Sequence, residues 1–570
     1  MEKWFVAMKK ADFDQIARKY HISPILARLI RNRDMTGDGE IALYLNGTIA
    51  DLHDGMLMKD MDKAVEILSE KIHEGKAIRV IGDYDIDGVN ATYVLQEGIS
   101  KLGGDVDTDI PDRMKDGYGL NRVLIDRALE DGVDTIITCD NGIAAAEEIE
   151  YGRQQGLTII VTDHHEVPYI EADGVKEYIM PRADAVVDPH RPDCEYPFKG
   201  LCGAAVSYKL VEALYEVMQR DIDDIDYLME NVAIATVGDV MDLTGENRIF
   251  VKQGLEMLKR TQNQGLKALM ECTKVPSERL SAYHIGFVLG PCINASGRLD
   301  TAKRALELLK ASNRRDAVML AEDLKALNDS RKEMTEKGVE QAVRQIEETS
   351  LKEDKVLVIY LPDCHESIAG IIAGRIKEKY YRPAFVLTQG EEGVKGSGRS
   401  IPAYNMFEEM CRCRALFTKF GGHKLAAGLS LEEDNVDRFR ETINKFAELS
   451  DEDLLPKVSI DMQLPLSYVT EPLVEELELL EPFGKGNTKP LFAEKDLKVL
   501  NPRIIGKNQN VLKFQVQDVN GNQMEAVYFG DVNACLEYIK QKPRLSFTFY
   551  PSINEYRGVR TLQITIVNYQ

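Results

Sequence analysis

Three short runs, Ala77-Ile78-Arg79-Val80-Ile81, Asp134-Thr135-Ile136-Ile137-Thr138 and Leu157-Thr158-Ile159-Ile160-Val161, constrain this chain more than any other feature. Each has the length and apolar content of a buried strand, and helical patterns over 91–102 and 121–130 lie between them. Alternating strands and helices predict a parallel sheet covered by helices. In such sheets ligands gather at the carboxyl ends of the strands. Each run passes at once into polar residues. The first enters Gly82-Asp83-Tyr84-Asp85-Ile86-Asp87-Gly88, the second Cys139-Asp140-Asn141-Gly142, and the third Thr162-Asp163-His164-His165-Glu166. Carboxylates and imidazoles from separate strands are therefore expected to converge on one edge.

At 570 residues the chain is too long for one core. The expected fold class is α/β, in five segments. Residues 1–70 read as helices, with Ser23-Pro24 a cap and first turn. The sheet occupies 71–300. Residues 301–350 keep a helical period, with Leu320, Leu324 and Leu327 on one face, and predict a long connecting helix. A second, smaller α/β unit spans 351–452, beginning at the strand-like run Lys355-Val356-Leu357-Val358-Ile359-Tyr360. From 453 to 570 short strands separated by turns such as Asn520-Gly521 predict an all-β, five-stranded barrel.

Composition excludes several classes. The net charge of −23 argues against a broad basic surface for duplex nucleic acid, while leaving room for a local basic groove. Nine cysteines without a CxxC pair read as reduced thiols rather than a zinc site. No signal-peptide pattern and no long apolar run are visible. The expectation is a cytoplasmic protein with no membrane role.

Asp83, Asp85 and Asp87 would repel one another in one pocket, and a divalent cation removes that cost. An EF-hand is excluded, because no glutamate stands at the twelfth position and the loop follows a strand. Asp140 alone reads equally as a cap, but a carboxylate between two ions can bridge them. His164 and His165 leave their strand in different directions, so one can face metal and the other substrate. Imidazole ligation favours manganese over calcium, with magnesium also compatible. Asp239 and Asp242, after the apolar run Ala235-Thr236-Val237-Gly238, read as cap or ligand.

These motifs in this order resemble the DHH phosphoesterase superfamily. Later ones resemble its RecJ exonucleases: Gly290-Pro291-Cys292-Ile293-Asn294-Ala295-Ser296-Gly297-Arg298, Gly396-Ser397-Gly398-Arg399-Ser400, Phe420-Gly421-Gly422-His423-Lys424, Leu480-Glu481-Pro482-Phe483-Gly484, and Ile110-Pro111-Asp112-Arg113 through Asp116-Gly117-Tyr118-Gly119. The resemblance implies a DHH domain, a DHH-associated domain and an oligonucleotide-binding barrel. It also implies a single-strand-specific 5′-to-3′ DNA exonuclease that releases mononucleotides in repair and recombination. Under it Asp85, Asp87, Asp140, His164 and Asp239 are metal ligands, Asp140 bridging two ions. Asp83 and His165 are further ligand or substrate-side positions. Arg113, Asn294, Arg298, Ser397, Arg399, Gly422 and His423 are expected on the substrate. Lys498, Arg503, Lys507 and Lys513 are basic candidates on the barrel. Single-stranded DNA, a single-strand-binding protein and a RecQ-type helicase are the family's partners, and a monomer is expected. Cys292, Asn90-Ala91-Thr92 and Ser367 depart from the family pattern, and Cys292 removes a basic contact. Two rival readings are a DHH oligoribonuclease or nucleotide phosphatase and a catalytically silent replication scaffold.

Overall fold

The computed structural model describes residues 2–570 except 114, 173–174, 391–392, 507 and 557. Lys507, expected on the barrel, lies outside the described residues.

The three runs form strands Ala77–Ile81, Thr135–Cys139 and Thr158–Thr162. Two further strands complete a five-stranded sheet, ordered Asp105–Asp109, Ala77–Ile81, Thr135–Cys139, Thr158–Thr162, Ala185–Val187. Every neighbouring pair is parallel. The strand Asp105–Asp109 alternates acids with other residues, so it shows no apolar run. It is an edge strand held by Arg79, whose Nε donates to Asp107 at 2.7 Å, and by Arg127, which donates to Asp109 at 2.6 Å. The chain steps from Ala77–Ile81 to one edge, then crosses to Thr135–Cys139 on the other side. Strand order reverses there, and a crevice opens beyond the strand ends. Helices Ile86–Lys101 and Gly203–Val217 fill one face with an almost continuous apolar core.

The expected connecting helix is broken once. Lys303–Lys310 ends before Asn313, whose side chain accepts from Asp316 N at 3.0 Å and starts a new helix, Arg314–Glu348. At 35 residues it is about 52 Å long. Leu324 is fully buried, with Leu320 and Leu327 packed beside the same core. The second unit is a five-stranded sheet ordered Phe417–His423, Ala426–Leu431, Gly393–Arg399, Ala384–Gly390, Leu357–Tyr360, covered by helix Glu366–Tyr380.

At the C-terminal end, Phe492–Ile505, Val511–Gln517, Gln523–Tyr528, Val559–Tyr569 and Leu545–Tyr556 pair in that order. The first and last also pair, Phe492 opposite Phe549, which closes a five-stranded barrel. Gly521, with φ of +89°, makes the expected turn. The N-terminal segment departs from its all-helical expectation. Lys3–Val6 is a strand running parallel to Lys457–Ile460. Helices Pro24–Asn32 and Asp38–Asn46 share the barrel's core through Leu26, Leu29, Ile30 and Ile41. Helix Met61–His73 packs instead into the core of the parallel sheet. No helix among the described residues is long and apolar enough to cross a membrane.

Candidate metal centre and adjoining cleft

The Asp loop is shaped by its own hydrogen bonds. Asp85 caps helix Ile86–Lys101, its Oδ1 accepting from Asp87 N at 2.9 Å and Gly88 N at 3.1 Å. Asn294 accepts from Ile86 N at 2.9 Å, pinning the loop from the side. Asp87, fully buried, accepts from Gly203 N at 2.6 Å and Ala204 N at 2.8 Å at the start of the facing helix. That helix can approach only because residue 203 is glycine, since a Cβ there would stand 2.7 Å from Asp140 Cβ. Asp140 itself is left-handed, φ +59°. Asn141 fixes the turn by donating to Ile81 O at 3.1 Å and Cys139 O at 2.9 Å.

The strand ends bring their polar groups together as expected. His164 Nε2 lies 3.0 Å from Asp140 Oδ1, 3.5 Å from Asp87 Oδ2 and 3.9 Å from Asp239 Oδ2. One atom each from Asp83, Asp85 and Asp140 falls within a 4.8 Å cluster, as does one each from Asp87, His164 and Asp239. Asp140 and His164 also cluster with His165. Asp140 thus belongs to the first set and meets the second through His164. Asp242 points away and meets Lys485 at 3.5 Å.

The electrostatics suit a cation. Burial, and then the charge of Asp85, push the Asp83 carboxyl up to about 8. Burial followed by Asp87 does the same to Asp239. Asp87 and Asp140 are raised for the same two reasons, burial and neighbouring carboxylates. Both oxygens of Asp83 are buried without a hydrogen-bond donor. Orphaned acceptors among crowded acids are what a divalent ion satisfies, so these residues fit one.

His165 differs from His164. Burial lowers His164. For His165 burial is outweighed by Asp163, whose Oδ1 lies 2.7 Å from Nδ1, and the imidazole is raised to about 9. Asp163 is fixed in turn by the N–H groups of Ile143 at 2.9 Å and His164 at 2.8 Å. The Nε2 of His165 faces Tyr118 Oη at 3.2 Å, and that hydroxyl also reaches Asp140 O at 3.1 Å.

Beside the centre two cavities meet. One of about 360 Å³ is lined by Arg113, Arg298, Ser397, Arg399 and Arg375. The other, about 510 Å³, shares Arg113 and Ser397 and adds Lys395, Lys419 and Phe420. Arg298 donates to Ser367 O at 2.8 Å, and Arg113 lies over the Tyr84 ring at 5.1 Å. Burial, then Arg113 and Arg331, depress the Arg298 guanidinium to about 10. Glu366 and Glu378 also line this region, Glu378 3.7 Å from Arg375 and Glu366 2.9 Å from Lys395, so Arg113, Arg298 and Arg399 are the cations suited to an added anion.

Three expectations change. Asn294 uses its carbonyl oxygen to hold the Asp loop and is a positioning residue. Gly422 and His423 line neither cavity, where their strand contributes Lys419, Phe420 and Gly421 instead. At Gly422 a Cβ would stand 2.4 Å from Ala426 O, so the glycine serves its hairpin. Cys292 is buried against Asn328 of the long helix at 3.4 Å, away from both cavities, so its departure leaves their walls intact. Ser367 does line both, its Oγ 2.7 Å from His365 Nδ1. Two site residues escaped sequence reading. Tyr118 lies in Asp116-Gly117-Tyr118-Gly119, a run that resembles the family, but no site role was expected of it. Asp188 ends the strand Ala185–Val187 just as Asp140 and Asp163 end theirs, but three residues are too few to read as a strand in sequence. Asp188 is buried, one oxygen is unpartnered, and burial and then Asp163 push it up to about 8.

A doubly wound sheet whose strand ends carry these acids and the Asp-His-His triplet defines a DHH-type phosphoesterase domain. Family models agree: "DHH family, N-terminal domain" matches residues 77–236, "DHHA1 domain" 353–449, and "RecJ OB domain" 460–568. The single-stranded-DNA-specific exonuclease RecJ of Bacillus subtilis is 34% identical over 566 residues, covering 98% of this chain and 70% of that protein. The Escherichia coli RecJ is 33% identical over 589 residues, 99% of each. The crystal structure of Thermus thermophilus RecJ in complex with Mn2+ superposes with a TM-score of 0.84 at 27% identity, covering all of this chain and 79% of that one. The chain belongs to the RecJ family of exonucleases.

Proposed function

We propose that this chain is a manganese- or magnesium-dependent exonuclease that degrades single-stranded DNA from its 5′ end to mononucleotides by a two-metal mechanism. The observation that carries the reading is that Asp140, in one ligand set, meets the other through His164, with an arginine-lined cavity alongside. Asp83, Asp85 and Asp140 would hold one ion, and Asp87, His164 and Asp239 the other. When bound, such ions would lower the pKa of a water nucleophile and offset charge on the phosphate. Manganese and magnesium are the ions named in two solved Thermus RecJ complexes.

The chain's own groups do the rest. Arg113, Arg298 and Arg399, with the Ser397 hydroxyl, form a pocket suited to a terminal phosphate, which places the 5′ end. His165, half-exposed, pairs with Asp163 through Nδ1, so Nε2, which meets Tyr118 Oη, is the ring atom left to exchange onto substrate. There it can stabilise charge on a phosphate oxygen or give a proton to the leaving oxygen. The barrel supplies affinity for the trailing strand. Lys513 is already paired with Glu525 at 2.5 Å, leaving Lys498 and Arg503 as its basic candidates among the described residues. A monomer acting in the cytoplasm in repair and recombination, with a single-strand-binding protein and a RecQ-type helicase, completes the proposal.

Asp140→Ala is the direct test, on 5′-phosphorylated single-stranded DNA with manganese. The expected loss is about three orders of magnitude or more, ~4 kcal/mol of barrier. Retained activity refutes the site. Parallel digestion of 3′-labelled strands, RNA, dinucleotides and pyrophosphate separates this reading from a short-oligonucleotide phosphatase.

A further inference from the structure

A second feature lies on the helix that carries Asn294 and Arg298. The helical path runs without interruption from Ala282 to Leu299, but Ile285–Leu289 is a π-helical turn. Pro291 explains the turn, because it has no N–H to donate and its ring crowds the carbonyl four residues earlier, that of Phe287. Along this helix Tyr283 and Phe287 are the exposed positions, and the part-buried Pro291, Asn294 and Arg298 follow at spacings of three and four. The series ends at Arg298 in the arginine cavity, and its middle is Asn294 on the Asp loop. At its N-terminal end Tyr283 and Phe287 are 62% and 69% exposed and stacked on each other, centroids 5.0 Å apart at 28°. The turn adjoins the metal centre, since Gly286 lies against Val237, two residues before Asp239.

We propose that Tyr283 and Phe287 form a stacking platform for a nucleobase of the strand whose 5′ end occupies the arginine cavity. The inference rests on the exonuclease reading and adds a base-binding subsite to it. Phe287 is eleven residues from Arg298, about 16 Å along the helix. That spans about three to five nucleotides, depending on how far the strand is extended beyond its 3.4 Å duplex rise. Open aromatic faces bind any base, which suits an enzyme that must accept every sequence.

The test uses full-length protein in EDTA, so that strands stay intact. Decamers with a 5′ phosphate carry 2-aminopurine at one of positions 2 to 6 and a 3′ label for anisotropy. Quenching should peak at one position about three to five nucleotides from the end. Phe287→Ala and Tyr283→Ala should abolish the peak and weaken decamer binding about tenfold, while Phe287→Trp restores both. Decamers that bind with the same quenching profile in the alanine variants overturn the platform and leave the exonuclease reading standing. Failure of the unaltered protein to bind any decamer overturns both.

Discussion

At the scale of residues, the metal centre stores a conflict. Asp83 and Asp239 are both held near 8, far above an ordinary carboxyl. In the unfolded chain they ionise around pH 4. Between that pH and about 8 the native metal-free protein keeps protons that the unfolded chain has lost, so its stability falls as pH rises through this window. The contribution is complete below pH 4 and gone above 8. Melting temperatures of EDTA-treated protein should therefore drop from pH 5 to 8, and manganese should remove most of that slope. Asp83→Asn should raise the metal-free melting temperature, by about 2–4 °C per kcal/mol relieved, while calorimetry shows weaker manganese binding. A melting temperature unchanged by the substitution would mean that Asp83 is not under this strain. The acids that set this conflict were legible in sequence because they follow apolar runs. The role of Tyr118 was not, because a tyrosine in a glycine-rich run can fit a family pattern without declaring what it touches.

At the scale of elements, the centre depends on how closely two helices start. Gly203 lets the helix Gly203–Val217 present its first N–H groups to Asp87 while touching Asp140. Gly203→Ala would move Asp140 rather than unfold the sheet. Activity should fall about a hundredfold, the cost of displacing a reacting group by about 1 Å, with the circular dichroism unchanged; full activity would show that the contact relaxes elsewhere. The strands that carry the acids are legible because burial on both faces makes them continuous apolar runs. The edge strand Asp105–Asp109 is not, because its side chains meet arginines, and Ala185–Val187 is too short to show a pattern. Likewise the break at Asn313 is a local capping choice inside a region whose period favours helix throughout.

For the whole molecule, Arg248 is the junction between units. Buried on the catalytic unit, it donates to Tyr44 O at 2.8 Å, Leu480 O at 2.9 Å and Leu479 O at 3.0 Å. Tyr44 Oη and Arg33 Nε each reach Asn487 Oδ1 at 2.8 Å. The N-terminal helices thus bracket the barrel against the catalytic unit, a role their sequence did not reveal, because the pattern marks an apolar face but not what it covers. Arg248→Ala should destabilise the protein by about 3 kcal/mol, leaving carbonyls unpaired. It should also weaken binding of strands long enough to reach the barrel while short oligonucleotides are still hydrolysed. Equal losses on both lengths would deny the barrel a separate role.

The strand Lys3–Val6 finds its partner only at Lys457–Ile460. During synthesis Lys3–Val6 must wait for Lys457–Ile460 to leave the ribosome. At about 5–20 residues per second the delay is about 20–90 s. Through that interval the apolar faces of helices Pro24–Asn32 and Asp38–Asn46 have no barrel to cover them, so the nascent chain should be a client of holding chaperones until the barrel emerges.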